Sequence, residues 1–338
     1  MSGLLRADWI RLGNRQSLRA IIVALPLLAA AFFLLSFRST DIQSSFDEAT
    51  ERQALTANFS GQGIPPDQIQ AQVDQIIAGE RANFEQIQAQ MEANRATYAF
   101  PSSVLTLLGS AAALYFFGMI LLTATTIGDE FGWGTIRTSL LASSNRPRLL
   151  AVRLGVLVTV AVVALALFLL LSLVLPVLIG AVAGGLPASP PVGGAALAVL
   201  VGGHLVAAIT LIGFAAAATL VMRSGSLTLV VALVYVLAET AVAGLLGRLG
   251  PFRPANSFGD GRPAGPFEWV LNVFPVHAIQ TFLVVAGQVA GNTTDTSGGG
   301  LAAPHLADTA LPFASMLAWA AIFTAVAVVR FNRMDIAE

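Results

Sequence analysis

The longest apolar stretch of the chain, residues 149–183, reads LLAVRLGVLVTVAVVALALFLLLSLVLPVLIGAVA. Arg153 is its only charged residue, and Pro176 is its only proline. A helix rises about 1.5 Å per residue and the apolar core of a bilayer is about 30 Å thick, so about 20 residues are enough to cross it. The stretch therefore predicts a transmembrane helix, with Pro176 as a place where that helix can bend.

Further apolar stretches of sufficient length lie on both sides of this one. The predicted spans are residues 18–37, 101–127, 149–183, 194–222, 226–247 and 311–330. Hydrophobic residues make up 56% of the 338 residues and charged residues only 11%, whereas an ordinary soluble domain has about 25% charged residues. The predicted fold class is an all-α integral membrane protein with six transmembrane helices.

The distribution of charge predicts how the spans are oriented. The segments on the side of both termini contain eleven arginines and five acids, and the opposite segments contain seven arginines and thirteen acids. Because positive charge favours the cytoplasmic side, both termini are predicted to be cytoplasmic. Residues 1–17, where Trp9 and leucines alternate with arginines, predict an interfacial helix, with a soluble tail as the alternative. Residues 331–338 are predicted to be a cytoplasmic tail.

Two longer segments are predicted on the extracytoplasmic side. In residues 38–100, apolar side chains recur at helical spacing after Pro66, and a preceding helix from about residue 41 to 58 completes a predicted helical hairpin. This hairpin is either a spacer or a platform for a substrate or partner. In residues 248–310, an apolar piece is interrupted at Pro275, which predicts a re-entrant helical pair before the last span.

The residue types that are absent exclude several chemistries. The chain contains no cysteine and no lysine. Disulfides and thiolate metal sites are therefore excluded, as are a Walker A phosphate-binding loop and Schiff-base catalysis, which both need lysine. His277 and His305 are too isolated to form a metal site. We expect no cofactor in this chain and no enzyme activity from a nucleotide site of its own.

Two ionisable residues, His204 and Glu239, fall inside predicted spans at similar depths. Burying an ionisable group in a membrane is costly unless the group is paired or contacts water. An ionisable residue inside a span therefore indicates a functional site by default. A pair between His204 and Glu239 could line a substrate path or relay protons. The alternative is a structural pair, or separate hydrogen bonds between packed helices.

The segment between the second and third spans, residues 128–148, is short, charged and rich in glycine. Thr135 or Asp129 can cap a short helix in this segment. That helix carries Ile136, Leu140 and Leu141 on one face and Arg137 on another. Such a helix can lie against the membrane and present a small mixed surface to a soluble partner. The alternative is a positively charged loop that only fixes the topology.

The order of residues in this segment resembles the coupling segment of ABC-2 type permeases, the membrane subunits of bacterial ABC exporters. The residues predicted to form the ATPase-coupling interface are Glu130, Gly134, Thr135, Arg137, Leu140, Leu141, Arg146 and Arg148, and a further basic residue follows at Arg153. The six spans, the outer insert after the first and the broken helical pair before the last also resemble that family.

This resemblance implies a permease that dimerises with a second copy or a related permease and docks on two separate ATP-binding cassette ATPase subunits. Those subunits would bind ATP and magnesium, and their closure would push on residues 130–148 and open a central path outward. Glu130 and Arg137 would form ion pairs at the interface. The implied location is a bacterial-type inner membrane. The implied partners include membrane lipids and no nucleic acid.

Two other classes of protein remain as alternatives on the sequence alone. An ion-coupled secondary transporter would use Glu239 and His204 to couple transport to a proton gradient. A membrane signalling or scaffold protein would use residues 38–100 to sense a partner, and it would need neither an ATPase nor a transport path. The sequence contains no recognition motif for any substrate class.

Overall fold

The computed structural model describes residues 16–39, 47–60, 65–132, 145–248, 267–290 and 306–334. Within these ranges the chain forms α helices and 3-10 turns and no strand, which confirms the all-α fold class. The helices are α1 (Gln16–Ser39), α2 (Glu48–Ser60), α3 (Pro66–Ala96), α4 (Ser102–Gly132), α5 (Arg146–Ala183), α6 (Gly194–Met222), α7 (Gly225–Arg248), α8 (Pro275–Ala290) and α9 (Ala310–Asn332). The 3-10 turns are Glu268–Val273 and Leu306–Thr309.

Six of these helices, α1, α4, α5, α6, α7 and α9, are long and apolar enough to cross a membrane. The chain is therefore a multi-pass membrane protein with the predicted number of spans. Two of the helices extend beyond the apolar sequence, since α4 continues to Gly132 and α5 begins at Arg146. Backbone hydrogen bonds continue a helix regardless of side-chain polarity. Glu130 and Arg146 consequently lie in helical turns.

The central helix of the bundle is α6, which packs against α4, α5, α7, α8 and α9. Its buried surface is made largely of alanine and glycine, and Ala207, Ala208 and Ala215 are completely buried. Between membrane helices the association depends on close van der Waals packing, which small residues allow. At Gly203 the ring of Phe282 from α8 occupies the space that any larger side chain would need.

Outside the six long helices, α2 and α3 pack against each other through a small apolar cluster. Ile69, Val73 and Ile77 of α3 are buried there against Leu55 and Phe59 of α2. These two helices correspond to the predicted hairpin, although the first begins at residue 48, and residues 41–46 and 61–64 lie outside the described ranges. The extracytoplasmic location of the hairpin stays a prediction.

Helices α6 and α7 are joined by a tight turn, and we call the end of the bundle that contains it the turn end. Arg223 ends α6 in the left-handed conformation, with φ of 53°. A Cβ atom at Gly225 would lie 2.6 Å from the carbonyl oxygen of Ala124, so only glycine allows α7 to start this close to α4. The end of α4, the start of α5 and the end of α9 also meet here.

Several predicted segments fall largely outside the described residues. They include the interfacial helix of residues 1–17, of which only 16 and 17 are described as the start of α1, and the tail beyond residue 334. The central part of the predicted coupling segment, residues 133–144, also lies outside, as do residues 249–266 and 291–305. The predictions for these segments are neither confirmed nor corrected.

Candidate functional site

A buried ion pair joins α4 and α5 at the turn end. Arg153 Nη1 lies 2.5 Å from Glu130 Oε2, and each residue is only 4% exposed. Glu130 reaches this position because α4 continues past its apolar stretch, and Arg153 because it lies near the start of α5. Two charges removed from water stabilise each other only as a pair, and the loss of one leaves the other uncompensated. The pair therefore holds together the helices that flank residues 133–144.

Arg146, the first residue of α5, holds the C-terminal end of α9. Its Nη1 donates hydrogen bonds to the carbonyl oxygens of Asn332, at 3.2 Å, and Met334, at 2.6 Å. The last carbonyl groups of a helix have no partners within the helix and form the negative end of its dipole, so a guanidinium group is favourable there. The start of α5 is thus bonded to the last helix as well as to α4.

Three of the eight residues predicted to contact an ATPase lie within the described part of the chain. Glu130 is buried, Arg146 bonds the end of α9, and Arg148 is exposed in the first turn of α5. The other five lie outside it, namely Gly134, Thr135, Arg137, Leu140 and Leu141. Contact of these eight residues with a partner stays a prediction, and for Glu130 the structure shows a partner within the chain.

Sequence analysis missed the pairing of Glu130 with Arg153. Arg153 is the only charged residue within residues 149–183, and an ionisable residue inside a span usually has a partner. That signal was available from the sequence. The sequence does not identify the acidic partner of Arg153, because that depends on how far α4 continues past its apolar residues.

His204 lies where α6 packs against α4, in the interior of the bundle. It is 1% exposed, its Nδ1 lies 2.9 Å from the carbonyl oxygen of Leu200, and its ring stacks on Phe116 with centroids 5.8 Å apart. Leu108 and Phe168 are among the apolar side chains around it. A histidine bonded to its own helix and surrounded by packed side chains favours the structural interpretation.

Glu239 on α7 faces α8. One carboxylate oxygen accepts a hydrogen bond of 2.7 Å from the backbone N–H of His277. Glu239 is 5% exposed. The predicted pair of Glu239 with His204 is not formed in the structure. Similar depth along two spans does not bring side chains together, because the rotation of each helix about its axis decides which neighbour a side chain faces.

The carbonyl groups just before α8 are bonded by side chains of α9. Ser315 donates its hydroxyl hydrogen to the carbonyl oxygen of Asn272, and Trp319 Nε1 donates to that of Val273 at 2.6 Å. The other end of α8 reaches the start of α6, where the N–H of Gly193 bonds the carbonyl oxygen of Ala290 at 3.1 Å. The irregular backbone on both sides of α8 thus bonds groups of neighbouring helices, and the re-entrant course of this segment stays a prediction.

No group of three or more His, Cys, Asp or Glu side chains that could hold a metal ion occurs among the residues that the structure describes. His277, which the sequence analysis considered too isolated for a metal site, lies in the first turn of α8. Its backbone N–H makes the contact with Glu239. His305 lies outside the described residues.

Comparison of the chain with protein-family models, with curated proteins and with solved structures found no match. The resemblance to ABC-2 type permeases therefore rests on the residues between Glu130 and Arg153 and on the predicted topology. The architecture of six apolar helices is shown independently of that resemblance.

Proposed function

We propose that this chain is the transmembrane permease subunit of an ATP-binding cassette exporter of the ABC-2 type, driven by ATP hydrolysis in separate subunits. A bundle of six apolar helices is compatible with a permease. The absence of lysine fits this division of labour, because the phosphate-binding loop of such ATPases uses a lysine. ATP and magnesium would be bound by the partner chains.

The observation that carries the proposal is that the connection between α4 and α5 is anchored at both ends. The pair of Glu130 and Arg153 joins α4 to α5, and Arg146 joins α5 to the end of α9. A push on residues 133–144 would therefore reach three membrane helices through direct contacts. A continuous set of contacts of this kind can carry coupling between a soluble ATPase and a membrane path.

In the proposed assembly, two permeases dock on two ATPase subunits at the turn end. The turn end and both termini would face the cytoplasm of a bacterial-type inner membrane. Exposed arginines at this end favour that orientation, and they include Arg148, Arg223, Arg330 and Arg333. The helices that form the hairpin, α2 and α3, would lie on the opposite side.

Copurification tests the proposal. The tagged chain is isolated from its native host in mild detergent, and the bound ATP-hydrolysing activity is compared with that of an Arg137→Glu variant. Glu130 is a poor choice for this test because its substitution would disturb the pair with Arg153. Arg81→Glu, an exposed charge reversal on α3, is the matched control. We expect the wild type and the control to retain the ATPase and Arg137→Glu to lose most of it.

Absence of any copurifying ATPase, even after crosslinking, would contradict the proposal. Uptake into vesicles would then separate the two alternatives. Transport that follows an imposed proton gradient would indicate an ion-coupled transporter, and no transport under any gradient would favour the scaffold interpretation.

A further inference from the structure

The first turn of α8 contains two backbone N–H groups that have no partner within the helix. Pro275 has no N–H, and the first intrahelical hydrogen bond runs from the N–H of Ala278 to the carbonyl oxygen of Phe274, at 2.8 Å. The N–H groups of Val276 and His277 must therefore find acceptors outside the helix. Within a bundle of membrane helices, an unpaired N–H costs several kcal/mol.

The sequence of α8 provides no acceptor of its own at the required position. Phe274 occupies the N-cap position, and its extended backbone, with φ of −80° and ψ of 122°, is the conformation that N-cap residues adopt. Serine, threonine, aspartate or asparagine at this position would accept a hydrogen bond from the first turn, whereas the side chain of phenylalanine has no acceptor. The cap must come from another part of the chain.

Glu239 of α7 provides it. Its carboxylate accepts a hydrogen bond of 2.7 Å from the N–H of His277, one of the two groups that α8 leaves unpaired. The negative charge also lies at the positive end of the α8 dipole. We infer that Glu239 is a positioning residue that supplies, from α7, the N-terminal cap of α8.

This cap ties the start of α8 to α7, while Ser315 and Trp319 of α9 bond the carbonyl groups on the other side of the break. The N–H side of the break therefore depends on α7, and the carbonyl side depends on α9. A displacement of α7 relative to α9 must either carry α8 along or break one set of bonds. During an ATP-driven cycle, a step that rests on the proposed function, α8 would therefore link the position of α7 to that of α9.

Hydrogen exchange read by mass spectrometry tests the cap in the purified full chain. Three proteins are compared with the wild type: Glu239→Ala, Glu239→Ala combined with Phe274→Asp, and Thr240→Ala, an exposed neighbour on α7, as the control. The Phe274→Asp change moves the carboxylate to the helix's own N-cap position. We expect Glu239→Ala to accelerate exchange in the first turn of α8 by about tenfold, and the added Phe274→Asp to reverse most of this change.

Unchanged exchange in Glu239→Ala would overturn the inference. Failure of Phe274→Asp to restore protection, in a protein whose α4 peptides remain protected, would also overturn it and would point to a role for Glu239 in binding a cation or proton. If Glu239→Ala cannot be purified as a monodisperse protein, the recovery of monodisperse protein on adding Phe274→Asp becomes the readout. None of these results depends on an ATPase, so the cap and the proposed function can fail separately.

Discussion

The two buried carboxylates Glu130 and Glu239 are stabilised in different ways. Both are at most 5% exposed among apolar helices. Glu130 is paired with the guanidinium group of Arg153, and Glu239 accepts a hydrogen bond from the backbone N–H of His277 at the start of α8. The first arrangement includes an ion pair between two side chains, and the second uses a backbone donor. Substitutions at the two sites should therefore cause losses of stability that differ in size. They should also differ in which second substitution restores stability.

The largest effect is expected from Arg153→Leu. This change leaves Glu130 buried without its counter-charge, which should destabilise the protein by about 3–5 kcal/mol. Unfolding in mixed detergent micelles by increasing sodium dodecyl sulfate measures the change. The double variant Glu130→Leu with Arg153→Leu should recover most of the loss, because an apolar pair has no buried charge. Equal destabilisation in the single and double variants would contradict the pairing.

Glutamine at each position compares the two carboxylates directly. Glu130→Gln removes the charge that Arg153 needs and should cost about 3 kcal/mol. Glu239→Gln keeps a carbonyl oxygen that can accept from the N–H of His277 and loses only the interaction of the charge with the helix dipole, about 1–2 kcal/mol. The same unfolding assay measures both variants. Equal losses would show that Glu239 also has a charged partner.

The number and approximate positions of the six spans could be predicted from the sequence, because the thickness of the bilayer sets the length of an apolar helix. The location of the break at Pro275 was also predictable, since proline cannot donate the hydrogen bond that a continuous helix requires. α8 does begin at this residue. These features depend only on local sequence.

The candidate sites were less predictable because they depend on rotation and on helix ends. His204 and Glu239 face different neighbours, and an almost uniformly apolar span gives no amphipathic pattern from which its rotation could be read. The pairing of Glu130 with Arg153 depends on the extension of α4 to Gly132. The cap on α8 could have been suspected, because Phe274 and Pro275 leave its first turn without an acceptor.

Arg146→Gln should destabilise the protein less than Arg153→Leu or Glu130→Gln. Glu239 is an anion at the N-terminal end of α8, and Arg146 is a cation at the C-terminal end of α9. Arg146 donates hydrogen bonds to the carbonyl groups that end α9. It is only partly buried, so water and salt screen its charge. We expect a loss of about 1 kcal/mol that shrinks as sodium chloride is raised. Glu239→Gln should show little dependence on salt, and a similar dependence at both sites would contradict the difference in burial.

The smallest effect is expected at Asp47, which caps α2 in the hairpin and is fully exposed. Its carboxylate accepts from the hydroxyl of Thr50 at 2.7 Å and from the N–H groups of Ala49 and Thr50. These hydrogen bonds, first of all that from the Thr50 hydroxyl, hold the pKa of Asp47 below its ordinary value. The stabilisation is therefore present above the pKa of the unfolded chain, about 3.9, and is lost as the pH falls through the lower pKa of the folded protein.

Hydrogen exchange of the first turn of α2, corrected for the intrinsic rate at each pH, measures this cap. Asp47→Ala should accelerate exchange about threefold at pH 6, and the wild type should approach the variant only well below pH 4. Asp47→Asn should keep most of the protection, because its amide oxygen accepts the same bonds, and should lose the dependence on pH. A pH dependence that persists in Asp47→Asn would contradict the assignment of the titration to Asp47.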